Sequence, residues 1–132
     1  MIKMIKVLIL SGTVAITGMG STFAAQPGYV KGSVTITSRS GAKLISNKCV
    51  GNFPNLGANQ TSSVSFRGKN TNEIRCDYTY QTPSGSYCMV SHERYFLVGW
   101  TALKVYTYGN CRGTNLRDNE YYGDFSYDLT IF

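Results

Sequence analysis

The sequence predicts an all-β protein: a single antiparallel β-sandwich, or a small Greek-key barrel, of about seven strands with two disulfides, preceded by a cleaved signal peptide. Three observations predict it. Apolar and polar residues alternate along most of the chain, the period of a strand with one wet face. No stretch outside the leader carries the 3.6-residue amphipathic pattern of a helix. All four cysteines, Cys49, Cys76, Cys88 and Cys111, lie downstream of a secretory-type leader, which places them in an oxidising compartment.

The leader is predicted over residues 1–24. Lys3 and Lys6 supply its positive start, and residues 7–19 form an apolar stretch interrupted only by Ser11, Thr13 and Thr17 among its polar positions. That stretch is shorter than the roughly 20 residues a bilayer span needs. Small residues at Thr22 and Ala24 suit a peptidase cutting before Ala25, whereas cutting one residue later would put Phe23 at the restricted third position. No lipid-accepting cysteine sits near the junction, and no second apolar span follows, so no transmembrane anchor is expected after processing. The domain is then residues 25–132, secreted or periplasmic, and 108 of the 132 residues remain, the size of one domain.

The strands follow in order. In 29–37, Val30, Val34 and Ile36 share one parity and Lys31, Ser33, Thr35 and Thr37 the other. Segments 42–50 and 62–67 read similarly, the second through Val64 and Phe66. Ile74, Cys76, Tyr78 and Tyr80 alternate with Glu73, Arg75, Asp77, Thr79 and Gln81, and Thr82-Pro83-Ser84-Gly85 then makes a turn that returns the chain as 87–91. The run 95–108 is too rich in β-branched and aromatic residues for a helix. Its parity changes near Gly99, as a bulge or a bend between two strands would produce. The last strand, 124–131, has Phe125, Tyr127, Leu129 and Ile131 on one face. Two loops are expected, 51–60 with Pro54, Asn55 and Gly57, and the longer 110–123.

Four cysteines allow three pairings. With the hairpin turn centred on Pro83 and Ser84, Cys76 faces a residue near Ser91 and Cys88 one near Thr79, so the two are offset along the strands beyond the roughly 7 Å limit of a bridge. Two arrangements survive: Cys49 with Cys76 and Cys88 with Cys111, which is favoured, or Cys49 with Cys88 and Cys76 with Cys111. The spacings contain no close ligand pair, so neither a metal site nor a cofactor is expected.

Charge says less. Two of the 13 basic residues fall in the leader, leaving 11 against seven acidic ones and a net charge near +4. These cations are spread along the chain with no run, which suits anionic partners or plain solubility and gives no specific nucleic-acid signal.

Catalytic candidates are sparse. His92 is the only histidine and is expected at the surface or in a turn; its neighbour Glu93 would point to the opposite face. No catalytic residue is assigned. No GxSxG elbow, HExxH or phosphate loop occurs. Asp118, Glu120, Asp124 and Asp128 cluster in sequence, the last two on a wet face. The stretch 120–127 resembles the Tyr-rich C-terminal segment of small secreted bacterial ribonucleases, but Phe125 stands where that family has its histidine. A ribonuclease-type hydrolase is thus one alternative, and a fimbrial-type structural subunit, with the last strand as assembly element, is another.

Binding to an extracellular protein or envelope glycan is the favoured expectation, and the tyrosines motivate it. All ten lie in the mature domain. Tyr78, Tyr80 and Tyr127 have core parity, whereas Tyr106, Tyr108, Tyr121 and Tyr122 lie near the long loop and are expected to form a patch with Arg112 and Arg117. A tyrosine offers a flat apolar face and a hydroxyl, suited to a sugar ring or a protein partner.

Overall fold

Alternation turns into strand pairing in the computed structural model, which describes the backbone of residues 2–7 and all of 28–119 and 121–132. Ten strands are present among these residues and no helix: β1 (Ile2–Val7), β2 (Lys31–Ser38), β3 (Lys43–Asn47), β4 (Val50–Gly51), β5 (Gln60–Arg67), β6 (Glu73–Gln81), β7 (Tyr87–Tyr95), β8 (Leu103–Gly109), β9 (Cys111–Asp118) and β10 (Phe125–Ile131). They form two five-stranded sheets, ordered β1-β8-β7-β6-β3 and β4-β5-β2-β10-β9. Apart from the backbone of 2–7, the leader expected over residues 1–24 lies outside the described residues, as does Glu120.

The alternating residues are the ones that meet between the sheets. Val34 and Ile36 on β2, Val64 and Phe66 on β5, Ile74, Tyr78 and Tyr80 on β6, and all four of Phe125, Tyr127, Leu129 and Ile131 on β10 are buried. Side chains of this size each contribute about 1.5–3 kcal/mol when fully buried, which is why β10, with the most regular alternation, sits inside its sheet between β2 and β9.

The disulfides are Cys49–Cys76 and Cys88–Cys111, the favoured pairing. The hairpin register keeps Cys76 and Cys88 apart: Cys76 faces His92 and Cys88 faces Tyr80, each one residue beyond the expected partner, so the two cysteines are offset by four residues where three were expected. Cys88 on β7 and Cys111 on β9 belong to different sheets, so this bridge ties one sheet to the other. The chain crosses between them at Gly109, which has φ 92° and where a Cβ would stand 2.1 Å from the Tyr87 carbonyl oxygen. Only glycine fits that corner.

Three expectations need correction. The pairing is not wholly antiparallel, because β10 runs parallel to β2. No tight turn joins these two strands, which are adjacent in the sheet but far apart in sequence, so nothing in the connection imposes the antiparallel sense. The expected loop 110–123 contains a strand, β9. Its pattern is obscured by a bulge in which Asn115 and Leu116 stand where β10 has Tyr127 alone; the register shifts there, and Asn115 adopts φ 54°. Inward parity therefore changes from Cys111 and Gly113 to Leu116 and Asp118. The 95–108 run, by contrast, bends between two strands near Gly99 as expected: β7 ends at Tyr95 and β8 begins at Leu103, the connection turns with Leu97 N–H donating to the Gly99 carbonyl at 3.0 Å, and Val98 is fully exposed. Lastly, His92 is buried in the core. The expected loop 51–60 is found largely as a connection, pinned by paired backbone bonds between Ala42 and Leu56.

Candidate functional site

The six residues expected to form one aromatic and basic patch divide into three groups. Tyr106 and Tyr108 lie two apart on β8, on its solvent-facing side, with ring centroids 6.4 Å apart. Arg112 and Arg117 lie on β9, in the other sheet, and Arg117 is occupied by Ser126 Oγ at 2.8 Å and by Asp128 at 3.8 Å. Tyr121 and Tyr122 sit in the turn before β10 as an edge-to-face pair with centroids 4.6 Å apart. Asn119 Oδ1 fixes that turn by accepting from both of their backbone N–H groups, an Asx-type cap.

Strand register assembles a different cluster around the first group. Met89 of β7 is directly opposite Tyr108, and Ser91 is opposite Tyr106. Tyr87, two residues before Met89, shares their face, and it is 54 % exposed with Met89 at 36 %. Tyr87, Met89, Tyr106 and Tyr108 thus form a flat aromatic and thioether platform on the outer face of the first sheet. Flat sheets with one wet face normally carry polar residues there, so four large apolar groups side by side are out of pattern. The sequence supplied half of this cluster; Tyr87 and Met89 become legible only once β7 is paired with β8.

Beneath that sheet lies a polar chain inside the core. His92 Nε2 is 2.6 Å from the Tyr127 hydroxyl, which is 2.7 Å from the Tyr78 hydroxyl, and His92 Nδ1 is 3.6 Å from Cys76 Sγ. A disulfide sulfur has no proton to give, so Nδ1 carries the hydrogen, Nε2 accepts from Tyr127, and Tyr127 accepts from Tyr78. Phe66 and Phe125 flank the imidazole, with centroids 4.9 and 5.5 Å away. Burial in this apolar cage disfavours the imidazolium and pushes the histidine down to about 3, and the same desolvation raises the two phenols. An acid–base catalyst must reach its substrate; His92 faces rings and a disulfide and has no path to solvent. Cys49, Cys76 and His92 bring three possible ligand atoms within 4.8 Å, but the two sulfurs are bonded to each other and offer no thiolate.

A second buried polar group closes one end of the molecule. Arg94, at the end of β7, is fully buried. Its Nη2 donates to Asp118 Oδ2 at 2.9 Å, its Nε to the Thr101 carbonyl at 2.9 Å and its Nη1 to the Gly123 carbonyl at 2.9 Å; Nη1 also meets Asp118 Oδ1, completing a bidentate pair. This holds the 96–102 connection and the β9–β10 turn together. Asp118 is therefore structural. Asp124 caps β2 by accepting from the Lys31 N–H at 3.0 Å, and Asp128 stands on the wet face as expected.

The two disulfides fit an oxidising compartment, and among the described residues no helix is long and apolar enough to cross a membrane. Strand β10 is paired on both edges, leaving it no backbone free for assembly with another subunit. No protein-family model matches this chain, and no curated protein or solved structure matches it either.

Proposed function

We propose that this chain is a secreted or periplasmic, non-enzymatic binding protein, built as a disulfide-stapled β-sandwich, that captures an extracellular protein or an envelope glycan. The observation that carries the reading is the platform of Tyr87, Met89, Tyr106 and Tyr108. Rings presented flat on a rigid sheet lose little freedom on binding, and tyrosine is among the residues that dominate binding energy at interfaces. The polar groups with unusual environments, His92 and Arg94, are spent inside the fold, so the chemistry left at the surface is recognition.

The test is capture of peptidoglycan, lipopolysaccharide and purified surface proteins by the wild type and by Tyr106→Ala/Tyr108→Ala. Loss of two anchor side chains should weaken capture by about tenfold or more with thermal unfolding little changed, since both side chains face outward. Undiminished capture by the double variant would remove the platform from the binding site, and cleavage of RNA by the wild type would refute the non-enzymatic reading.

A further inference from the structure

The net positive charge, dispersed in sequence, is partly collected by the fold. Lys48, Arg67, Lys69 and Arg75 line one small hollow of about 100 Å³ beside the Cys49–Cys76 bridge. They come from four places: the β3–β4 connection, the end of β5, the β5–β6 turn and β6. Among the described residues none of the four has a carboxylate within 4.0 Å. Glu93, opposite Arg75 across the hairpin, is 3.8 Å from Lys104 instead. One acid, Glu73, also lines the hollow, and it accepts from Asn70 Nδ2 at 3.2 Å. The hollow therefore carries a net charge of about +3, most of the excess of the mature domain.

Four unpaired cations around one concavity repel one another, and an anion seated among them relieves that repulsion. The volume suits one phosphate or carboxylate group. Next to it, sharing Val50 and Arg67, lies a larger hollow of about 460 Å³ whose lining includes Ser33 and Ser65, both on the outer face of their sheet. Arg67 stacks over the half-exposed Tyr29 ring, 4.8 Å from its centroid. Serine residues beside an anion seat match a hydroxyl-rich sugar carrying a charged group. We infer that this pair of hollows binds an acidic saccharide, its phosphate or carboxylate among the four cations and its sugar against the neighbouring serines. The site is separate from the aromatic platform and does not depend on it.

Binding should be measured by titration calorimetry at low and moderate salt with five probes: lipopolysaccharide for phosphate, polygalacturonate for carboxylate, dextran as a neutral control, and polyglutamate and single-stranded DNA as polyanions that are not saccharides. Binding of one or both anionic glycans, and not of dextran, is expected. Lys69→Ala/Arg75→Ala should weaken it about tenfold, since hydrogen bonds to charged groups are the strong ones. Arg39→Ala/Lys43→Ala, which removes the same charge elsewhere, should change it less than twofold. The inference is overturned if neither anionic glycan binds, if both variants weaken binding equally, or if polyglutamate or single-stranded DNA binds more tightly than either glycan. Retention of anionic binding by Tyr106→Ala/Tyr108→Ala separates this site from the platform, and equal loss in that variant overturns a separate site.

Discussion

His92 shows how one residue can look functional in sequence and serve the core in structure. Its partners Tyr127 and Cys76, and the rings of Phe66 and Phe125, leave no room for the hydration that an imidazolium needs. The signal was available: Cys88 and Val90 are inward on β7, and the same parity reaches His92 and Arg94. Residue type argued for the surface and position argued for the core, and position won because paired strands fix every second side chain inward. The consequence is a pH dependence. The unfolded chain takes up the histidine proton near the ordinary value of about 6.5, whereas the folded chain holds it off to about 3. Between those values the unfolded state binds more protons, so the stabilisation is complete above the upper value and is lost as pH falls through the window, by up to about 1.4 kcal/mol per pH unit. Urea unfolding at pH 7, 5.5 and 4.5 should show this slope in the wild type and a flatter one in His92→Phe, with carboxylate contributions common to both. Parallel slopes would mean that His92 takes up its proton as readily in the fold as in the unfolded chain.

At the level of elements, the strands that bury a regular face were legible and those that do not were hidden. β6 and β10 alternate strictly and were read within a residue. β9 was missed because a bulge flips its parity midway and because, as an edge strand, it commits few apolar residues to the core. Missing β9 also hid its most consequential contact, Arg94 with Asp118. That pair joins the end of β7 in one sheet to the end of β9 in the other. Removing one partner strands the other charge in the interior, so Asp118→Asn should cost about 3–5 kcal/mol. Arg94→Met should be comparable, since the Thr101 and Gly123 carbonyls lose their donor as well. The double variant should cost clearly less than the sum, with a coupling of about 2–3 kcal/mol in a double-mutant cycle by denaturant unfolding. Additive losses would show that the two groups act separately and that the ends of β7 and β9 are held by other contacts. The candidate site was half legible for the same reason: Tyr106 and Tyr108 stand out by type, but their neighbours Tyr87 and Met89 are three-dimensional neighbours only through the β7–β8 register.

For the whole molecule, the open question is what the first residues do to the fold. Residues 2–7 pair in antiparallel register with β8, from Ile2 opposite Tyr108 to Val7 opposite Leu103, at the edge of the sheet that carries the platform. Among the described side chains the core runs from Val30 to Ile131, and both disulfides lie within that span. If the leader is removed on export, the core, the Arg94 centre and both bridges stay, while β8 becomes an edge with Lys104 as its charged guard. A chain of residues 25–132 should therefore unfold in one cooperative transition, its Tm within several degrees of the full chain, the shift that a loss of about 1 kcal/mol produces in a domain of this size. Backbone amides of 103–108 should exchange faster in the shorter chain while those of β6 and β10 remain protected. Loss of cooperative unfolding would instead make residues 2–7 an integral strand of the sheet, and the proposed leader would then belong to the mature fold.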